Sequence, residues 1–443
     1  MRHRWLRPVV LVVTASAVLA ACGGAPGDAG DAGDRGHEPG QGLPIPDVST
    51  TSRAATPPPG DLAASGPGDA PPLWMGPFDD VPRAGGGMFV GLVFPADDEA
   101  DLSITGVAAD GTTRWAVRTN PSCVGYGLTR VADTPAAVVL ASDADNREGK
   151  VATRTSANAF DVRDGSRLWG PTPVPGPMVG PGLIFGKNTP SIVGGQQGER
   201  VMLAASSGAP VTPPSGDAVA VYEHHGTGLF SEDGVLTAID TTTAEVRWSS
   251  ATVSPPSRSG HSGGKYRVEL LDAASASTGD VVALRWTPED GGRDGGGEGD
   301  DDSGAETVLH DLRTGAVIAT LGDQPEPRTI VDAGKGTVVV SGLDRFRTTL
   351  AFDLGTGKRL WRDDSSLDLT LAHAGTAYGT RAGRSVAVDV RTGKTVADGE
   401  WAVPVAAENG VLVAPLPQPQ ERQARVTERT EGSGPGYVAH EQR

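Results

Sequence analysis

The chain has little of what builds helical, disulfide-stapled or nucleic-acid-binding proteins. Among 443 residues there are two cysteines, Cys22 and Cys123, too few for a disulfide framework. Aromatic residues make up 5% and hydrophobic residues 37%, low for one compact domain, so part of the chain is expected to stay outside any core. Basic side chains number 38 against 55 acidic ones, and the formal net charge of −17 argues against nucleic acid as a partner. No apolar run reaches the roughly 20 residues that a spanning helix needs. What is abundant is glycine, at 62, and proline, at 35. Both are poor helix formers and frequent turn formers, so helix is expected to be nearly absent.

The N-terminus addresses location. Arg2, Arg4 and Arg7 form a positive start, and Pro8 to Ala21 is a mainly apolar run of 14 residues, short for a bilayer but right for a secretory signal. The ending Leu19-Ala20-Ala21-Cys22 resembles the bacterial lipobox. That resemblance implies that residues 1–21 are a lipoprotein signal peptide and that Cys22 becomes a lipidated N-terminus. Each buried CH₂ contributes about 0.8 kcal/mol, so two or three acyl chains anchor a protein stably without spanning the membrane. Cleavage would leave 35 basic and 55 acidic side chains, a net charge of −20. Cys123 lies between Ser122 and Val124 and reads as a buried small hydrophobe.

After the anchor, residues 23–72 hold 11 Gly and 10 Pro, too few apolar groups to offset the entropy of ordering. Residues 22–75 therefore read as a disordered tether, with an r.m.s. span on the order of 40 Å. The tail 415–443 is again polar and expected to fray.

Between these ends, about residues 85–414, the chain repeats itself. The full frame is Ala351-Phe352-Asp353-Leu354-Gly355-Thr356-Gly357-Lys358-Arg359-Leu360-Trp361, with Asp eight and Gly four residues before Trp. Asp161, Gly165 and Trp169 keep it, as do Asp240 and Trp248 with Ala244 at the Gly position. Gly111 with Trp115 keeps the second half. Asp311 with Gly315, and Asp389 with Gly393, keep the first half, with Ala319 and Ala397 where Trp is expected. Gly208 marks a seventh, weak copy. The frame positions 111, 165, 208, 244, 315, 357 and 393 are 54, 43, 36, 71, 42 and 36 residues apart, spacing typical of stacked supersecondary units. Each unit reads as short strands joined by Thr-Gly or Asp-Gly turns, so the expected fold is all-β: a β-propeller of about seven four-stranded antiparallel blades. The strands within 403–413 are expected to close the ring by pairing with 88–94 and 102–107 of the first blade.

The frame Ala-x-Asp-x-x-Thr-Gly-Lys-x-x-Trp resembles the tryptophan-docking repeat of the PQQ-like β-propellers, the family of the quinoprotein dehydrogenases and of the BamB-like assembly lipoproteins. The resemblance covers about 330 of 443 residues. It implies that each Trp packs between adjacent blades and that the turn Gly lets it approach, which makes these residues structural. A quinone-binding member would also carry an adjacent Cys pair and a metal held by carboxylate and amide ligands. This sequence has no Cys-Cys, so a propeller without a cofactor is expected, with PQQ and Ca²⁺ as the alternative.

Other strings carry less. Gly260-His261-Ser262-Gly263-Gly264 matches a nucleophile elbow, but Pro255-Pro256 precedes it and a strand-like run follows, where the elbow needs strand then helix. Gly393-Lys394-Thr395 ends like a phosphate-binding loop, yet Val388 stands where its first Gly belongs. His224 and His225 are adjacent, and on a strand adjacent side chains point to opposite faces, so they read as a surface pair rather than a metal site. The acidic, Gly-rich insertion 287–306 offers Asp300, Asp301 and Asp302 as candidate Ca²⁺ ligands, though it fits no EF-hand spacing and reads first as a solvated loop. No catalytic residues are assigned. The expected protein is a monomeric, lipid-anchored, non-enzymatic binding or scaffold protein on the extracytoplasmic face of the cell membrane, with an envelope protein as partner. A quinone-dependent sugar or alcohol dehydrogenase and a Ca²⁺ or small-ligand binding module are the alternatives.

Overall fold

A computed structural model of the full chain describes residues 42–60, 62, 66–94, 102–120, 125–144, 153–186, 200–253, 265–276, 279–289, 304–416 and 436–442. They form a β-propeller whose sheets are all antiparallel, most of them simple meanders. Seven sheets have four or five strands. In chain order they cover residues 83–119, 126–174, 219–249, 266–322, 328–363 and 367–399, with a closing sheet built from both chain ends. The weak copy at Gly208 follows a further, two-stranded sheet, Ile184–Gly186 with Arg200–Met202, which sits between the second and third of the full ones. Among the described residues the single α-helix is the four-residue Leu343–Phe346.

Eight clusters of buried side chains join the sheets pairwise in order around the ring. One links Trp115 and Val117 to Phe160 and Val139 of the next sheet. The last joins the closing sheet, through Trp74, Val413 and Tyr437, to Phe89 and Val107 of the first. Each sheet thus buries both faces against its neighbours around the ring.

The repeat frame explains how those contacts are set. Gly357 N–H donates to the Asp353 carbonyl at 2.8 Å and Asp353 N–H to the Lys358 carbonyl at 2.9 Å. The Asp353 carboxylate accepts from Thr356 N at 3.1 Å and Thr356 Oγ1 at 2.9 Å, which locks the turn. Asp311 with Thr314 and Asp389 with Thr392 repeat the arrangement. Each docking Trp then lays its ring on the turn of the following sheet. Trp115 Nε1–H donates to the Val162 carbonyl at 2.6 Å, Trp169 to Ala205 at 2.8 Å, Trp248 to Leu312 at 2.8 Å and Trp361 to Val390 at 2.9 Å. Glycine is required beneath the ring twice over. At Gly165 φ is +75°, and a Cβ there would stand 2.7 Å from the Trp115 Cβ. Where Ala319 replaces Trp, the Ile318 backbone comes against Gly357 instead.

The ends of the propeller differ from the sequence reading. Ring closure does not use the first blade: Val411–Pro415 pairs with Ala406–Glu408 on one side and Tyr437–Glu441 on the other. Tyr437–Glu441, in the segment expected to fray, pairs in turn with Pro72–Gly76, in the segment expected to be tether. Trp74 on that strand is a docking Trp that the repeat frame missed, with its Nε1–H on the Ala109 carbonyl at 2.9 Å above Gly111. Further up the same tether, Asp47–Ser49 adds a fifth strand to the outer edge of the first sheet.

One buried interface carries a pH-sensitive contact. His310 lies between Trp286 and Trp248, with ring centroids at 5.7 and 6.3 Å. It accepts from Trp286 Nε1–H on Nε2 and donates from Nδ1 to the Gly315 carbonyl, a pattern that only the neutral ring satisfies. Burial lowers its pKa below 6.5. A depressed folded-state pKa gives stability that is present above the unfolded value and lost as pH falls through the folded one. The melting temperature is therefore expected to drop on acidification below about pH 6.5, less steeply in His310→Gln. Equal slopes in the two proteins would count against this contact. His373 and His440, also lowered by burial, keep the slope above zero.

Candidate functional site

A cavity of about 580 Å³ opens where five consecutive sheets converge on the face that carries the repeat turns. Its wall is polar. Arg130 comes from the second-sheet hairpin and Ser206 from beside the two-stranded sheet. His225, Asp240 and Arg247 come from the sheet that follows, and Asp280, Asp311 and Arg313 from the one after. The frame residues Asp240 and Asp311 thus serve both the turn and the cavity. Arg247 pairs with Asp240 at 2.5 Å. Burial works to raise the Asp240 carboxyl, but hydrogen bonds from Thr242, Thr243 and Arg247 outweigh it and hold the pKa below the usual carboxylate range.

At the wall, four ionisable side chains meet. Glu223, next to last in the strand Val219–His224, is fully buried and accepts from Leu183 N–H at 3.0 Å and Gly226 N–H at 3.4 Å. It thereby ties the hairpin turn to the adjoining two-stranded sheet. Burial pushes its carboxyl up to about 7, partly opposed by those two donors. The next two residues, His224 and His225, both aim Nδ1 at one carboxylate, Asp280, the second residue of the strand Gly279–Pro288 one sheet over. His225 Nδ1 is 3.1 Å from Asp280 Oδ2, His224 Nδ1 contacts Oδ1, and the two imidazole centroids are 3.7 Å apart. Burial of Asp280 favours its neutral form, but the two imidazoles dominate and bring its pKa down to about 2.

This convergence corrects the reading of His224 and His225 as a surface pair on opposite strand faces. Strand alternation stops at His224, because His225 sits in the left-handed region at φ 46° as a turn residue. His224 is 8% exposed. The signal in the sequence was the following Gly226, which marks the pair as the end of a strand. Asp280 was not singled out, because nothing local distinguishes one Asp after a Gly.

The other sequence candidates are placed as follows. Gly111, Gly165, Gly315, Gly357 and Gly393 all lie in turns at positive φ, and Trp115, Trp169, Trp248 and Trp361 dock as described. Lys394 and Thr395 belong to one of these turns and the strand after it. Cys22, Cys123, the string 260–264 and the acidic candidates Asp300, Asp301 and Asp302 lie outside the described residues. The cavity wall offers carboxylates but no Asn or Gln among the described residues, so the carboxylate-and-amide metal set of a quinone site is not assembled there.

A ring of antiparallel sheets with a Trp of one sheet docked on the turn of the next defines a propeller of the PQQ-like repeat class. The family model described as outer membrane protein assembly factor BamB matches residues 153–398, more than half of the chain, and the chain belongs to that family. Among solved structures, it is similar to the crystal structure of BamB from Moraxella catarrhalis at 16% identity and a TM-score of 0.39, covering 84% of this chain and 99% of that one. It is also similar to a europium-containing methanol dehydrogenase at 11% identity and a TM-score of 0.39, covering 86% and 94%. No curated protein matches.

Proposed function

We propose that this protein is a lipid-anchored, extracytoplasmic propeller that binds an envelope protein and acts as a non-enzymatic scaffold in envelope assembly or secretion. The observation that carries this reading is membership of a family described as an outer membrane protein assembly factor. Cys22 supplies the anchor, residues from 23 to the first paired strand supply reach, and the protein works as a monomer without a cofactor. A ring buried on both faces of every sheet is a rigid platform, and propellers use the loops around such a platform to hold partner proteins. The dehydrogenase alternative lacks support on two counts: no adjacent cysteines occur in the sequence, and the cavity wall lacks the amide ligands.

The test is cross-linking in intact cells, comparing the tagged protein with Cys22→Ser by mass spectrometry of what co-purifies. The expected result is one or two envelope proteins recovered with the anchored form alone. Recovery of the same partners with both forms would refute the anchor's role, and recovery of none would refute the scaffold reading.

A further inference from the structure

We propose that His224, His225 and Asp280 bind one divalent transition-metal ion of the zinc class at the wall of this cavity. The three side chains each present a donor atom within 4.8 Å of the others. Zinc bonds of 2.0–2.2 Å in tetrahedral geometry place neighbouring donors about 3.4 Å apart. His225 Nδ1 and Asp280 Oδ2, at 3.1 Å, are close to that separation already, so this part of the donor set stands near the spacing an ion requires.

The donors are held by backbone rather than by flexible loops. His225 directly follows the strand Val219–His224, its turn is fixed through Gly226 N–H and Leu183 N–H on the Glu223 carboxylate, and Asp280 is the second residue of the ten-residue strand Gly279–Pro288. Two imidazoles and one carboxylate suit Zn²⁺, Co²⁺, Ni²⁺ or Cu²⁺, whereas Ca²⁺ and Mg²⁺ call for oxygen-only sets. The side chains are 10%, 18% and 15% exposed for His224, His225 and Asp280, so water competes weakly. His225 and Asp280 also line the cavity, so an ion they held would border its open space. Three protein ligands with an open fourth position is the arrangement in which a metal keeps an exchangeable ligand. The site therefore gives the cavity a Lewis-acid point for an anionic or carbonyl-bearing ligand, and it stands independently of the scaffold reading.

The test uses the mature full chain with its tag removed. Zn²⁺ is titrated by calorimetry, Co²⁺ by visible absorption, and the melting temperature is followed with Zn²⁺ and after a chelator. One equivalent is expected to bind, raising the melting temperature reversibly. His225→Asn, which tolerates the left-handed backbone, and Asp280→Asn are each expected to weaken binding at least about 100-fold, since even changes behind a ligand cost 10–100-fold. Deletion of 290–303 is expected to leave binding unchanged. Absence of Zn²⁺ binding by the wild-type chain would overturn the proposal. So would wild-type affinity in both variants, or loss of binding on deleting 290–303 alone.

Discussion

Trp115→Ala is expected to destabilise the protein by about 4 kcal/mol, the upper part of the range for emptying a buried aromatic site. The side chain is fully buried, packs against both the first and second sheets, and its Nε1–H is bonded to the Val162 carbonyl at 2.6 Å. Two costs add: a cavity that the rigid sheets on either side cannot close, and a buried carbonyl left without its donor, about 1–3 kcal/mol on its own. Val246→Ala, at a position 59% exposed one residue before Arg247, is the control and should change stability by no more than about 0.5 kcal/mol. Denaturant midpoints for the three proteins check this. A loss below about 1 kcal/mol at Trp115 would mean that the docked ring does not hold adjacent sheets together.

The second large effect is expected at the other end of the chain. Ending it at residue 436 removes a strand that is paired on both sides, and with it buried Tyr437, Val438, Ala439 and His440. Tyr437 also meets Phe78 edge-on at 6.4 Å. At about 1.5–3 kcal/mol for each large apolar side chain, plus the lost ladder, the cost is at least about 5 kcal/mol. For a domain of this size that lowers the melting temperature on the order of 10 °C. Loss of the strand also frees Pro72–Gly76 and so undocks Trp74 from Gly111, opening the ring at its seam. Removing 417–435 instead, with a short Gly-Ser turn between Leu416 and Gly436, is expected to shift melting by only a few degrees. Leu416 N–H already donates to the Gly436 carbonyl at 3.0 Å, so the ends need little bridging. Equal stability of the two truncations would contradict closure by Tyr437–Glu441.

These two predictions divide along what sequence could reveal. The docking of Trp115 was legible because Gly111 and Trp115 keep the second half of the frame, and the turn on which the ring docks carries the frame Asp161 and Gly165 of the next copy. The seam was not. Trp74 has Ala70 where the frame expects Gly, and Pro71 and Pro72 precede it in a stretch whose composition argues for disorder. Likewise Tyr437-Val438-Ala439 is too short and too isolated to read as a strand until its partners, more than 350 residues away at Pro72–Gly76, are known. Pairing at that separation leaves no periodic trace. The His224, His225 and Asp280 group failed to show for a related reason. The rule of alternating faces assumes extended backbone, and His225 leaves it. The third ligand comes from the next sheet, which sequence spacing does not bring near.

Hydrogen exchange of the full chain tests the central claim, a ring closed by strands from both ends of the chain. The account predicts that amides in Tyr437–Glu441, paired on both sides, exchange as slowly as those of Thr134–Ser142, a strand in the interior of the second sheet, and that the amides of the edge strand Pro72–Gly76 that face it are protected as well. Exchange of both end strands at the rate of an unpaired chain, with Thr134–Ser142 still protected, would contradict it.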